Sequence, residues 1–190
     1  MSEALHVVVS GVGRTNAAIA TTRTLLEEGP FDGVLSLGVA GALPEVDPAL
    51  RIGDVVVATE SIYHEEGIQT PDGFQDMTGL GFPLGPFDGN HVSPDSALLE
   101  RFGPLGRCAP VATVATCSGS DDAAHEVRRR TGAIAEAMEG AAVLHAAALQ
   151  GVPALELRVI SNTTGARDRQ VWNLDLALDR LADLVGLLQS

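Results

Sequence analysis

The chain has 190 residues with 12 basic and 25 acidic side chains, a formal net charge of −13. That charge repels phosphate backbones and anionic membranes, so nucleic-acid and membrane partners are not expected. All basic residues are Arg, which excludes Schiff-base and P-loop lysine chemistry within the chain.

Cys108 and Cys117 are too few for a disulfide scaffold and show no metal-ligand spacing, so no metal is expected. No apolar run approaches the ~20 residues that span a bilayer. The start, MSEALHVVVSG, has an acid where a signal peptide has bases. One cytoplasmic domain over residues 1–190 is the expectation.

In chain order, residues 5–10 (LHVVVS) read as a strand buried on both faces. Gly11-Val12-Gly13 turns the chain, and Thr15 can cap a helix running to about Glu28. A second strand at 33–37 leads into Gly38-Val39-Ala40-Gly41, and a third covers 54–59. Residues 63–90 read as a long loop that carries Phe74, Met77, Leu80, Phe82, Leu84 and Phe87. Such a loop suits a lid or a subunit contact, or simply a cover for this subunit's own sheet. A short helix (94–102), a strand (111–115) and a helix from Asp121 to Arg130 follow, the last with acids first and bases last.

Residues 133–162 organise the rest. An apolar strand (133–137) delivers Met138 and Glu139, an Ala-rich helix runs from Gly140 to about Gly151, and a strand (154–160) delivers Ser161 and Asn162. As a βαβ unit its strands are expected to be parallel, bringing both polar pairs to one sheet edge. A helix over roughly 171–188 closes the chain. The expected fold is α/β, with a mostly parallel, partly barrel-like sheet flanked by helices.

Glu139 is the first candidate. A carboxylate accepts two hydroxyl hydrogen bonds at once, which matches a ribose diol. Its charge also stabilises an oxocarbenium-like ribosyl cation more in the transition state than in the ground state. Asn162 offers a donor and an acceptor side by side, which suits purine N7 and the C6 substituent; the bland reading is a turn former after a strand. A dinucleotide reading of Gly11-Val12-Gly13 fails, because Asn16 stands where Gly or Ala is needed. His64, Glu65 and Glu66 read as loop polars in preference to a metal site, His145 as a packed histidine, and Cys117 as a small buried residue.

Glu136 to Ala142 (EAMEGAA) followed by Arg158 to Asn162 (RVISN) resembles the purine nucleoside phosphorylase and nucleosidase superfamily. Gly11 to Gly13, Gly38 to Gly41, Ile52 to Val56 and Cys117 to Gly119 fall in the expected order. Glu66 to Phe74, Thr116 to Gly119 and Gly165 to Trp172 look most like the futalosine hydrolase family of menaquinone biosynthesis. The resemblance implies that Glu139 holds the ribose hydroxyls, Met138 packs on the sugar and Asn162 contacts the purine. It adds Ala40, Gly41, Ser118 and Gly119 to the substrate-binding set, and Arg167 as a partner for the carboxylate of futalosine.

Methylthioadenosine/S-adenosylhomocysteine nucleosidases have Asp where this chain has Asn162. An amide there favours a 6-oxopurine such as hypoxanthine. The resemblance implies hydrolysis without a cofactor, in a homodimer or larger homo-oligomer. Members normally begin with a further βα segment whose acid helps to activate water; this chain is expected to lack that segment. The alternatives are a 6-oxopurine nucleoside phosphorylase, a methylthioadenosine nucleosidase and a non-catalytic nucleoside-binding module.

Overall fold

The computed structural model describes residues 5–188. Eight strands and five helices occur among them: α1 (Arg14–Glu27), β1 (Val34–Ala42), β2 (Val55–Tyr63), β3 (Gly67–Thr70), β4 (Gly73–Asp76), β5 (His91–Val92), α2 (Ser96–Phe102), β6 (Arg107–Thr113), α3 (Asp121–Thr131), β7 (Ala135–Ala137), α4 (Gly140–Leu149), β8 (Ala154–Thr163) and α5 (Leu174–Leu188).

Six strands form one sheet in the order β5-β2-β6-β7-β1-β8, and β2 also pairs with β8. The sheet therefore curls onto itself as the barrel-like expectation requires. β2 is divided between neighbours: Val55, Val56 and Val57 pair with β8, while Ser61 and Ile62 pair with β5. The two longest ladders, β1 with β8 and β2 with β6, are parallel. The pairs of β1 with β7, β2 with β8 and β2 with β5 are antiparallel.

Local chemistry explains most of the elements. Asp95 caps α2 by accepting from the N–H groups of Ala97 and Leu98, both at 3.0 Å. Ser120 caps α3, Asp121 and Asp122 open it, and Gly132 ends it in the left-handed conformation at φ +68°. α4 is built of small residues and is buried on nearly every side. It packs on α1 through Ala17, Ala141 and Leu144. α5 lays Leu184 and Leu188 against Leu155 and Leu157 of β8.

Three expectations need correction. Residues 5–10 form no strand: Val7 is 73% and Val9 93% exposed, and the segment pairs with none of the eight strands. β-branched side chains favour a pleated surface only when a neighbouring strand supplies one. The helix after the glycine turn is capped by Gly13, at φ +94°, and not by Thr15.

The third correction is the largest. β7 and β8 are not parallel neighbours; β1 lies between them, antiparallel to β7 and parallel to β8. The unit β7-α4-β8 therefore joins strands of opposite direction. The long loop is also more ordered than expected, with a β3–β4 hairpin inside it. Its Leu84 and Phe87 cover α4, whereas Phe82 is exposed.

Candidate active site

The chain turns at Gly13, Arg14 and Thr15 beside the end of β7. Together with Val12, Asn16, Val114, Ala115 and Met138 these residues line a cavity of about 240 Å³. Glu139 follows Met138, and three donors fix its carboxylate. The Gly13 N–H donates at 2.9 Å, the Met138 N–H at 3.3 Å and Arg158 Nη1 at 3.1 Å. The first of these comes from the N-terminus of α1, where an anion is favoured.

Arg158 is 2% exposed and is itself fixed by Glu156, which is fully buried. Arg158 Nε donates to Glu156 at 2.7 Å and Nη2 to Ser36 Oγ at 3.3 Å. Ser61 Oγ donates to the other oxygen of Glu156. Two glycines make room for this network. A Cβ on Gly38 would lie 2.3 Å from Arg158 Nη1, and one on Gly140 would lie 2.0 Å from the Glu156 carboxylate. Glu139, Arg158 and Glu156 carry one positive and two negative charges between them. Without Glu156 the Arg158 charge would neutralise Glu139; with it the trio keeps a net negative charge beside the cavity.

Asn162 is placed by the end of β8. From Val34 to Ala40, β1 pairs with Ala154 to Ile160 of β8 in regular steps, but Gly41 pairs with Asn162. Ser161 is thus the extra residue of a β-bulge. A strand alternates faces, so without the bulge Asn162 would share the face of Arg158 and Ile160. The bulge turns it to the opposite face. A Cβ on Gly41 would come within 3.0 Å of Asn162 Nδ2, as that placement requires. Asn162 Nδ2 donates to the Thr163 carbonyl and its Oδ1 accepts from Ser161 Oγ, both at 2.9 Å.

Glu139 and Asn162 therefore do not meet as two tips at one edge. Glu139 reaches Arg158 in mid-strand, and the register neighbour that Asn162 shares across Gly41 is Glu136. Ala40 and Gly41 part company in the same way. Ala40 packs in the core with Ala135, Ala137 and Ile160, while Gly41 faces the Asn162 side.

Ser118 and Gly119 lie on the loop after β6. Ser118 donates to Glu136 twice, from its N–H at 2.7 Å and its Oγ at 2.6 Å. Burial pushes the Glu136 carboxyl above the usual range, and these two bonds pull it back. The turn at 163–172 ties to this loop: Gln170 Nε2 donates to the Ser118 carbonyl at 2.9 Å and the Arg167 N–H to the Gly119 carbonyl at 3.1 Å. The Arg167 side chain is exposed, bonded to Gln170 at 2.8 Å and stacked over Trp172 at 5.1 Å. Trp172 in turn bridges to Asn162.

Arg14 is occupied by acids. Its Nη1 lies 2.8 Å from Glu66 and 3.7 Å from Glu65. Glu65 accepts from the Ala115 N–H at 2.8 Å, beside the cavity. Cys117 is exposed and not buried as expected. Its thiol is pushed up first by partial desolvation, then by Glu136, Glu139 and Glu65. His145 is a packed residue, its ring 4.8 Å from Phe87 and Nδ1 3.3 Å from the Tyr63 hydroxyl. Among the described residues no group of three His, Cys, Asp or Glu could hold a metal ion, and no helix is long and apolar enough to cross a membrane.

Residues 3–188 match the family model described as the phosphorylase superfamily. The futalosine hydrolase of Streptomyces coelicolor is 38% identical over 96% of this chain and 77% of its own length. That of Acidothermus cellulolyticus is 40% identical over 92% and 71%. The chain belongs to the phosphorylase superfamily and, within it, to the futalosine hydrolase family. The S-adenosylhomocysteine nucleosidase of Streptococcus pyogenes, solved with 5-methylthiotubericidin, has the same fold. Its TM-score is 0.72 at 27% identity, over 94% of this chain and 75% of that one.

Sequence reasoning dismissed Glu65 as a loop polar and gave no role to three further residues of the candidate site: Glu136, Glu156 and Arg158. Two signals were available. Charged Glu156 and Arg158 interrupt an otherwise apolar strand, where charges persist only if paired. Glu136 likewise sits between alanines of a buried strand.

Proposed function

We propose that this protein hydrolyses the N-ribosidic bond of futalosine, releasing hypoxanthine and dehypoxanthinyl futalosine. The observation that carries the reading is the Glu139 carboxylate, fixed by Gly13, Met138 and Arg158 beside a cavity and kept net negative by Glu156. The identity to the two futalosine hydrolases supports the choice of substrate.

In the reaction the bond between ribose C1′ and purine N9 breaks, and its electron pair leaves with the base. The Glu139 charge stabilises the ribosyl cation that forms and accepts hydrogen bonds from the sugar hydroxyls. Met138 packs on the sugar. Asn162 donates to the 6-oxo group and accepts from N7–H as the base gains a proton. Water adds to C1′ and gives up a proton. Gly41, Ser118 and Gly119 border the base, and exposed Arg167 beside Trp172 meets the far carboxylate of the substrate.

Water is favoured over phosphate as the acceptor because Arg14, the basic residue of the glycine turn, is already paired with Glu66 and approached by Glu65. A phosphate there would have to displace a carboxylate and face two others. Incubation with futalosine, with and without phosphate, tests the proposal. Free hypoxanthine at equal rates in both supports hydrolysis, and release that requires phosphate overturns it. The protein works in the cytoplasm as a homo-oligomer, a reading supported by the exposed Phe82 on the long loop; light scattering of the purified protein gives the number of subunits.

A further inference from the structure

The cavity beside Glu139 is lined by Gly13 and Met138, whose N–H groups hold that carboxylate, and by Arg14 and Ala115. None of Gly41, Ser118, Gly119 and Asn162, the residues given to the base, is among those that line it. A nucleoside with its 2′ and 3′ hydroxyls on Glu139 presents C1′ and the base to one side. It presents C4′, with the C5′ substituent, to the other. The cavity therefore receives the C5′ end.

A second carboxylate stands at that end. The two oxygens of Glu65 share the Ala115 N–H, at 2.8 and 3.0 Å, and one of them also accepts from the Thr116 N–H at 3.3 Å. Arg14 Nη1 lies 3.7 Å away, so Glu65 joins two residues of the cavity wall. Glu66 takes the same Arg14 nitrogen at 2.8 Å. The backbone under both acids is fixed as well. Arg130 Nη1 donates to the His64 carbonyl at 3.1 Å, and its guanidinium lies 4.0 Å over the Phe74 ring of the β3–β4 hairpin. Asn90 Nδ2 donates to the Glu66 carbonyl at 2.8 Å. Held in this way, the two acids cannot swing clear of an incoming anion as free surface acids would.

Arg14, Glu65 and Glu66 together carry one net negative charge, and Glu139, Arg158 and Glu156 carry another. A 5′-phosphate would bring about 1.5 to 2 further negative charges against them. A hydroxyl or a carbon chain on C5′ meets no such repulsion, and the carboxylate of futalosine sits at the far end of its substituent. We infer that Glu65, with Glu66 beside it, is the specificity-determining residue for the C5′ end, admitting nucleosides uncharged next to C5′ and rejecting nucleoside 5′-phosphates. Repulsion of the wrong ligand gives specificity without tighter binding of the right one. The inference rests on the nucleoside reading of Glu139 and deepens it by naming the substrate class.

Calorimetry with 9-deazainosine and its 5′-monophosphate tests it without turnover, because the carbon–carbon bond to ribose in these probes cannot be hydrolysed. At low salt the wild type binds the nucleoside at least about tenfold more tightly than the monophosphate, and the ratio shrinks as salt screens the acids. Glu65→Gln keeps an oxygen for the Ala115 N–H, tightens monophosphate binding by about tenfold and leaves nucleoside binding within about threefold. A damaged fold would not produce such a gain. Equal affinity of the wild type for the two probes overturns the inference and needs no variant to fold. So does equal weakening of both by Glu65→Gln, which would reduce Glu65 to an anchor for Ala115. Futalosine turnover is scored separately. Cleavage with no discrimination between the probes sinks this inference alone, and discrimination without cleavage sinks the proposed reaction alone. A wild type that binds neither probe overturns both.

Discussion

The two faces of the β1–β8 ladder treat a buried carboxylate in opposite ways. On one face Glu156 and Glu139 share the guanidinium of Arg158, with Ser36 and Ser61 completing the network. On the other, Glu136 has only the neutral donors of Ser118 and stands across Gly41 from an amide. The first face is built to keep charge fixed where a cation forms. On the second the carboxylate meets only the uncharged donors of one loop residue. One ladder can serve both because the Ser161 bulge changes the side on which β8 displays its residues.

Breaking the charged face is expected to have the largest effect. Arg158→Met leaves Glu156 and Glu139 facing each other and destabilises the fold by about 3–5 kcal/mol, read by urea unfolding. The double variant Glu156→Leu with Arg158→Met restores much of that stability and none of the activity, because it also removes the clamp on Glu139. Glu139→Gln keeps the fold and lowers kcat on futalosine by about 100- to 1000-fold, the usual effect of losing a fixed transition-state charge partner. A loss below tenfold would show that the fixed charge does not act on the reacting sugar.

Smaller changes sharpen the contrast. Gly140→Ala drives a methyl group into the Glu156 carboxylate. It destabilises by about 1–3 kcal/mol in thermal melts, whereas alanine is ordinarily the better helix residue. Ser118→Ala removes one neutral bond to Glu136, at a cost of about 1 kcal/mol.

The smallest effect is one of pH. Burial raises the Glu136 pKa above its ordinary value of 4.5, with the Ser118 bonds opposing. A raised folded-state pKa means that the folded state holds the proton longer. The stability of the wild type relative to Glu136→Gln is therefore greatest at low pH and falls as pH rises from 4.5 through the raised value. Paired melts across the acidic range check this. A difference that grows toward neutrality would mean that the carboxylate form is the better stabilised one.

Much of this was legible in the chain. The acids at the start and bases at the end of residues 121–130 announce one helix, the Ala-rich run from Gly140 announces another, and EAMEG with RVISN points to the superfamily and to Glu139 and Asn162. What could not be read was how those two residues relate. Local pattern reports the period of a strand and nothing about its neighbours' directions. β7 is three residues long, too short to reveal a face. The apolar Val7, Val8 and Val9 misled for a related reason: a strand needs a partner, and the pattern does not say whether one exists.

The amino-acid order alone determined most of the helices and the residue types available for cleaving a nucleoside, because those depend on side chains only a few positions apart. The tertiary structure decided that β7 runs against β1, that one extra residue at Ser161 moves Asn162 to the side of Glu136, and that a single arginine serves two distant glutamates. Those outcomes depend on which strands become neighbours, and pairing is settled by contacts between residues far apart in the chain.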